Sequence, residues 1–191
     1  MNTEKTERHA IVREGYQILL RADAELILPT DKPRIRAFYE NMAKTCMRWA
    51  QEIYGEALRR ELLALESIRE KSQFGTQRYQ MRMRIPFEEG KHAVFLCESK
   101  LTGQWREPQK SYHRISHVWN VEEETVLPFS EILSTFGMRI TKEKLPFRPD
   151  GIYPEGETMV FFRNVTDNVQ FLEKRLPREP ESNKKQPSKL E

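Results

Sequence analysis

The sequence predicts an α+β fold in which one long amphipathic helix packs on a mostly antiparallel sheet, as a single domain over residues 11–175. Three observations support this prediction. One segment alternates polar and apolar residues as strands do, and the next repeats apolar residues every three or four positions as helices do. Later segments, each bounded by turn-forming residues, again have the pattern of strands. A chain of 191 residues is long enough to bury a substantial core.

The first predicted strand covers residues 17–28. Apolar side chains occupy every second position and polar side chains lie between them, which is typical of a strand with one wet face. Pro29 ends this strand. Thr30 or Asp31 is expected to cap the helix that follows, and Pro33 suits its first turn, where an amide hydrogen would have no partner.

The predicted helix is the clearest element in the sequence. Its apolar side chains recur three and four positions apart and form one stripe over about 20 residues. We expect this stripe to pack against the sheet, and we expect Gly55 to introduce a bend or a short turn before the helix continues to Leu65. The members of the stripe are Ile35, Phe38, Tyr39, Met42, Cys46, Trp49, Ala50 and Ile53.

The second half of the domain is predicted to be mainly strands. Residues 79–85 alternate, residues 93–99 are more continuously apolar, and the turn between them predicts an antiparallel hairpin. A loop over 102–111 leads to a strand over 112–121. Further predicted elements are a short helix that begins at Ser130 and ends at Gly137, a strand over 159–162, and a last helix capped by Asp167.

Both ends of the chain are predicted to be disordered. Residues 1–10 are charged throughout, and residues 176–191 contain three prolines and no aromatic residue, so neither segment can bury enough surface to offset its ordering entropy. Neither a signal peptide nor a membrane helix is apparent. Cys46 and Cys97 have apolar neighbours, as buried thiols in a reducing compartment do. We therefore expect a cytoplasmic protein with no membrane partner.

Charge and glycine spacing exclude several classes of function. The 32 Lys and Arg residues against 29 Asp and Glu residues leave a net charge of +3, which is too small to require a polyanionic partner. The eight glycines are scattered and form no phosphate-binding loop or nucleophile elbow. Most kinases, P-loop enzymes and dinucleotide oxidoreductases are thereby excluded, and we expect no cofactor.

Two histidines offer an enzymatic alternative. His113 and His117 lie four residues apart on one predicted strand and therefore on the same face. Either could act as a general base beside a carboxylate, as in a hydrolase. A shared metal ion is not expected, because residues four apart on a strand are separated by about 13 Å.

A second alternative is nucleic-acid binding. Arg82, Arg84 and Arg114 fall on exposed strand faces, and aromatic side chains occur nearby in the sequence. Bases could stack on such aromatic rings while the arginines neutralise phosphates. The aromatic residues concerned are Tyr79, Trp105 and Tyr112.

The loop over 102–111 is the most suggestive recognition element. Trp105 and Arg106 are residue types that are enriched at the centres of protein interfaces. We predict that these two residues, with Arg114 on the following strand, contact an unidentified protein partner. The alternative for Trp105 is that it folds back on its own domain.

Four segments carry a resemblance to a known family: residues 97–103, residues 112–116, residues 119–121 and residues 127–133. They resemble the C-terminal domain of lysozyme-binding anti-sigma factors and of some peptidoglycan deacetylases, in which a strand leads through a glycine-rich turn to another strand and then to a short apolar helix. The Gly-Gly-Ala-His turn of that family is Gly103-Gln104-Trp105-Arg106 here. The resemblance implies an α+β fold and a binding role, and it transfers no catalytic residue.

These observations favour a non-enzymatic, cytoplasmic protein-interaction module of bacterial origin. The hydrolase and the nucleic-acid-binding protein remain as alternatives.

Overall fold

A six-stranded mixed sheet is the central layer of the fold. The computed structural model describes residues 1–103, 110–138, 140, 144–165 and 172–178. The strands follow one another across this sheet in chain order, and each neighbouring pair is antiparallel except β2 and β3, which are parallel. The bounds are β1 Thr3–Glu14, β2 Gln17–Pro29, β3 Gln77–Glu89, β4 His92–Thr102, β5 Lys110–Asn120 and β6 Thr125–Val126.

Helices form the layer on one face of this sheet. They connect β2 to β3 and carry the chain back to the same end of the sheet, which is why these two strands are parallel. The segments are α1 Pro33–Arg48, a π-helix Trp49–Tyr54, α2 Gly55–Leu63 and α3 Ile68–Gln73. The inner positions of α1 and the apolar positions of β2, β3 and β4 bury one another in the larger of two cores.

A three-stranded antiparallel sheet covers part of the opposite face. It consists of β7 Gly151–Glu155, β8 Thr158–Arg163 and β9 Leu172–Pro177, and the short helix α4 Phe129–Thr135 precedes it. Strand β4 serves both cores, because Phe95 and Cys97 face the helices while Val94 and Leu96 face the small sheet. The predicted α+β class with a mostly antiparallel sheet is confirmed.

The N-terminal segment differs from its prediction. Residues 1–10 were expected to be disordered, but strand β1 begins at Thr3 and pairs with β2 along its whole length. Gly15, with a φ of 55°, makes the tight turn between the two strands. Strand β1 lies at the edge of the sheet, where charged side chains remain in water, and this explains why its composition resembles that of a disordered segment.

The start of α1 also differs from its prediction. Pro33 is its first residue, as expected, but Lys32 precedes it and no side chain of the Thr30–Asp31 pair caps it. Instead, the carboxylate of Glu124 accepts hydrogen bonds from the backbone amides of Arg34, at 2.6 Å, and Ile35, at 3.2 Å. A residue in the turn between β5 and β6 therefore caps a helix 90 residues away in the chain.

The predicted apolar stripe is only partly buried. The buried positions of α1 are Ile35, Tyr39, Ala43 and Met47. Phe38 and Trp49 are each 40% exposed and Ile53 is 62% exposed, so the outer edge of the stripe faces solvent.

A bend or a short turn was expected at Gly55; the chain stays helical there and forms no turn, and the π-helix Trp49–Tyr54 lies directly before this glycine. A β-carbon at this position would lie 2.7 Å from a methyl group of Val12 in β1. The glycine is therefore explained by the close approach of the helix to the sheet.

The C-terminal predictions fall mostly outside the described residues. Strand β9 extends to Pro177, past the predicted boundary at residue 175, while residues 179–191 and the helix expected at Asp167 lie beyond the described part. Over the described ranges, no helix is both long enough and apolar enough to cross a membrane.

Candidate functional site

A polar groove lies on the face of the six-stranded sheet that the helices leave open. Its volume is about 810 Å³, and strands β1 to β5 all contribute to its floor. Strand alternation creates this surface, because the side chains between the buried core positions all point to the same side. The lining residues are Glu7, His9, Asp23, Ala24, Glu25, Gln80, Met81, Arg82, Glu98, Ser99, Lys100, Tyr112, His113 and Arg114.

Ion pairs cross the floor of the groove from strand to strand. Glu98 of β4 accepts from Arg114 of β5 at 3.0 Å and lies 3.5 Å from Arg84 of β3. Glu25 of β2 lies 3.7 Å from Arg82 of β3 and 3.4 Å from Lys5 of β1. Most of these side chains are well exposed, so each pair contributes little to stability and serves mainly to fix the positions of the charges.

One histidine belongs to this face. His9 Nδ1 lies 2.8 Å from the Asp23 carboxylate, and its Nε2 lies 3.7 Å from Glu7. The hydrogen bond to Asp23 raises the pKa of His9 above its ordinary value, although the side chain is exposed to water. Its partners in the described structure are carboxylates, with no hydroxyl or thiol in contact, so the pair lacks a nucleophile.

Arg114 forms the end of the groove next to the small sheet. Its guanidinium donates to Glu98, to Glu173 of β9 at 3.0 Å and to the Tyr153 hydroxyl of β7 at 3.3 Å. The same group stacks on the ring of Phe162. The side chain is only 14% exposed. Arg114 therefore joins the two sheets as well as lining the groove.

Backbone contacts fix the small sheet beside the groove. The side-chain amide of Asn164 donates to the carbonyl of Arg114 and accepts from its amide, at 2.9 and 2.8 Å. The Ser116 hydroxyl accepts from the amide of Ile152 at 2.8 Å. A β-carbon on Gly151 would lie within 2.5 Å of the Ser116 oxygen, so the two strands can approach this closely only at a glycine.

Of the three residues that the sequence grouped into a binding site, the structure describes one. Arg114 lines the groove, and its contact with a partner stays a prediction. Trp105 and Arg106 lie outside the described residues.

The two histidines proposed for a hydrolase lie on the helix-facing side of β5. His113 borders the groove, but it alternates with Arg114 and so shares the face of His117. The Tyr39 hydroxyl accepts from the Trp119 indole at 2.9 Å and lies 3.2 Å from Nδ1 of His117, to which it can donate. Burial lowers the pKa of His117, so its ring is neutral and suits this acceptor role.

Metal coordination has no candidate in the described ranges. No group of three or more His, Cys, Asp or Glu side chains there is arranged to hold a metal ion. Both cysteines are free thiols. Burial raises the pKa of Cys97 to about 12, which keeps this thiol protonated and unreactive.

Some of the residues proposed for nucleic-acid binding share a surface: Arg82, Tyr112 and Arg114 line the groove, while Trp105 lies outside the described residues. Tyr79 is buried toward the helices, on the side opposite Arg82 and Arg84. Each of the three arginines has a carboxylate partner in Glu25 or Glu98. Such pairing removes the free positive charge that phosphate binding requires.

Several groove residues were not singled out from the sequence, among them His9, Asp23, Glu25 and Lys100. Each is a polar residue within a strand, and its polar position is visible in the sequence. Their convergence depends on the register between β1, β2, β3 and β4, which local pattern does not determine.

Comparison with known proteins finds similarity at the level of the fold. A DUF3298 family protein from Pseudomonas aeruginosa PAO1 aligns with a TM-score of 0.52 and 10% identity, over 92% of this chain and 90% of that chain. A member of the same family from Bacteroides fragilis NCTC 9343 aligns with a TM-score of 0.54 and 7% identity, over the same shares of the two chains. No family model and no curated protein matches the sequence.

Proposed function

We propose that this protein is a non-enzymatic binding module, and that the polar groove on the open sheet face contacts a protein partner. The observation that carries the proposal is the groove itself, an open concavity of about 810 Å³ built from charged side chains of five strands. A protein partner recognises a surface of this kind by placing charges of opposite sign against it. Polar surfaces with some aromatic residues are common in such interfaces.

The arrangement of the groove supports binding over catalysis. Of the histidines that line the groove, His9 contacts carboxylates, and His113 shares with His117 the helix-facing side of β5. A general base needs a reacting group within hydrogen-bond distance, and a nucleophile needs an activating base. In the part of the chain that the structure describes, no hydroxyl or thiol contacts His9.

The loop predicted to bind a partner begins and ends at the strands that line the groove. Strand β4 ends at Thr102 and β5 begins at Lys110, so the connection is residues 103–109, shorter at both ends than the predicted loop over 102–111. Lys100 and Tyr112, on either side of this connection, both line the groove. The resemblance to the C-terminal domain of lysozyme-binding anti-sigma factors also supports a binding role. The two solved structures with a similar fold come from bacteria, which supports a bacterial origin. We place the protein in the cytoplasm.

Quantitative affinity capture with the full chain tests this proposal. Gln80 lies exposed in the floor of the groove, and Gln80→Trp fills the groove without removing a charge or a core residue. The matched control is Arg60→Trp, at an exposed position of α2 on the helix side. We expect wild type and the control to capture the same protein and Gln80→Trp to lose it; equal capture by all three would contradict the proposal.

A second variant tests the loop. Trp105→Ala is expected to reduce the amount of the captured partner at least several-fold, because truncating an aromatic anchor commonly costs more than about 1 kcal/mol of binding free energy. An unchanged amount would show that residues 102–111 do not contribute to the interface.

A further inference from the structure

Three cations stand out on the open sheet face. Arg21 of β2 and Arg78 of β3 are paired in register, and Lys100 of β4 lies opposite Gln80, one step along β3 from Arg78. Among the described residues, no carboxylate forms an ion pair with any of the three. Lys100 lines the groove, and Arg21 and Arg78 lie one row of side chains beyond its lining residues Asp23 and Gln80. We call Arg21, Arg78 and Lys100 the basic end of the groove.

The rest of this face behaves differently. Each of the other charged side chains that line the groove has an ion-pair partner among the described residues, and the basic end is the exception. The paired residues are Lys5, Glu7, His9, Asp23, Glu25, Arg82, Arg84, Glu98 and Arg114.

The register places the two arginines side by side. Neighbouring strands lie about 4.8 Å apart, and residues two apart on one strand are separated by about 7 Å. Arg21 and Arg78 therefore hold two like charges on adjacent strands, an arrangement that destabilises a sheet. Both side chains are exposed. A bound anion between them would remove the repulsion.

Lys100 and its neighbours give the basic end a defined shape. The Lys100 ammonium lies 5.3 Å from the centre of the Tyr112 ring, which orients the cation. Ile11 of β1 is paired with Arg21 and is 46% exposed, so it offers an apolar contact beside the charges. The small sheet blocks the opposite end of the groove, where Arg84 and Arg114 stack on Tyr153.

We propose that the basic end is the subsite for an acidic segment of the partner polypeptide, which lies extended in the groove with its carboxylates on Arg21, Arg78 and Lys100. This proposal rests on the proposed function. A peptide suits the site better than a nucleic acid, because Glu7, Asp23, Glu25 and Glu98 lie next to the basic end. These acids repel a continuous row of phosphates, whereas a peptide can place neutral or basic residues over them.

The spacing of the site fits an extended chain. Alternate side chains of a strand-like peptide recur at about 7 Å, which matches the distance between successive rows of side chains on the sheet. One carboxylate can lie between Arg21 and Arg78, and the next can reach Lys100, which is one row further along.

The test uses the full chain and a labelled peptide of about nine residues that alternates Glu and Thr, with binding followed by fluorescence anisotropy at low and at physiological salt. The double variant Arg21→Gln with Arg78→Gln is expected to bind this peptide about ten-fold more weakly, at about three-fold for each exposed charge pair. Lys100→Gln is expected to weaken binding about three-fold.

The matched control is Arg60→Gln with Arg69→Gln, which removes the same charge from exposed positions of α2 and α3. It is expected to leave peptide binding unchanged. The urea midpoint of the Arg21 and Arg78 double variant is expected to equal or exceed that of wild type, because like-charge repulsion has been removed. If the double variant binds the peptide more weakly but is as stable as wild type, the two arginines act in binding and not in maintaining the fold.

Four results would overturn the proposal: no binding of the acidic peptide, equal binding of a peptide that alternates Gln and Thr, an equal loss in the control pair, or tighter binding of an oligonucleotide of the same net charge. Failure here is distinguishable from failure of the proposed function, because loss of the captured partner in Gln80→Trp does not depend on the partner's charge.

Discussion

Single residues position the main elements through contacts with residues that are distant in the sequence, and Glu124 is the clearest case. Its carboxylate accepts from two amides at the N-terminus of α1, where the helix dipole favours negative charge. Its backbone holds a φ of 51°, which is unusual for a residue with a β-carbon. Glu124 therefore combines the cap of α1 with a left-handed backbone conformation at the end of the turn between β5 and β6.

Removing this cap tests its contribution to stability. Glu124→Ala is expected to lower the free energy of unfolding by about 1–2 kcal/mol. Glu124→Gly is expected to cost less, since glycine relieves the backbone strain that alanine keeps. Urea denaturation measures both, with Glu123→Ala as a control within about 0.5 kcal/mol of wild type. Equal effects of the two alanine variants would contradict the capping role.

His117 gives the stability a dependence on pH at the same scale. Burial lowers its folded-state pKa below the value of 6.5 that the unfolded chain has. As the pH falls, the unfolded chain therefore binds a proton at this histidine before the folded protein does. The stabilisation that the neutral His117 provides is complete above pH 6.5 and is lost as the pH falls from 6.5 to the folded pKa. The raised pKa of His9 changes the stability with pH in the opposite direction, and it does so equally in wild type and in the His117→Gln variant.

The variant His117→Gln is expected to lose less stability than wild type between pH 7 and pH 5, because glutamine does not titrate and can still accept from Tyr39. Denaturation curves across this range provide the measurement. Parallel losses in the two proteins would show that His117 does not titrate below its ordinary pKa.

At the scale of elements, the helical layer is positioned by its contact with β1. Gly55 lies where α2 begins, and a β-carbon there would lie 2.7 Å from one Val12 methyl group and 3.1 Å from the other. The close approach of β1 therefore requires glycine at this position of the helix.

Gly55→Ala reverses the usual effect of such a change. Alanine stabilises an exposed helix by about 1 kcal/mol relative to glycine, yet here it is expected to destabilise the protein by about 1–3 kcal/mol through overpacking. In a Val12→Ala background the same change is expected to be neutral or stabilising, since the methyl groups are gone. Additive effects in this double-mutant cycle, measured by urea denaturation, would contradict the contact.

The elements differ in how far the sequence predicts them. Strands β2 and β3 were predicted because one face of each strand is buried and the alternation is visible in the chain. Strand β4 was predicted from its continuous apolar run, since both of its faces are buried. Helix α3 was missed, although Ser67 and Glu70 form a capping box that signals its start. The cap by Glu124 was not predictable, since nothing local relates it to α1.

For the whole molecule, the groove and the small sheet depend on each other. Arg114 bonds to Glu98 on the large sheet and to Tyr153 and Glu173 on the small sheet. The small sheet thereby closes one end of the groove. The groove could not be predicted from the sequence, because five strands contribute to it and the parallel pairing of β2 with β3 is not encoded in either strand alone.

Arg114→Gln tests this junction. The change is expected to cost about 2 kcal/mol, because it removes charge-assisted hydrogen bonds from a mostly buried group. Hydrogen exchange is expected to accelerate in β7 to β9 and to stay unchanged in α1. Arg175→Gln, which removes exposed ion pairs within the small sheet, is the control and is expected to cost less than about 1 kcal/mol. Equal costs for the two would contradict the joining role of Arg114.

The central claim is that the open sheet face, and not the helix face, binds the partner. A photo-crosslinking amino acid placed at Gln80 or at Arg60 in the full chain, and irradiated in cells, tests this most directly. We expect a discrete protein adduct from position 80 and none from position 60. An adduct from position 60 alone, or no adduct from position 80, would contradict the claim.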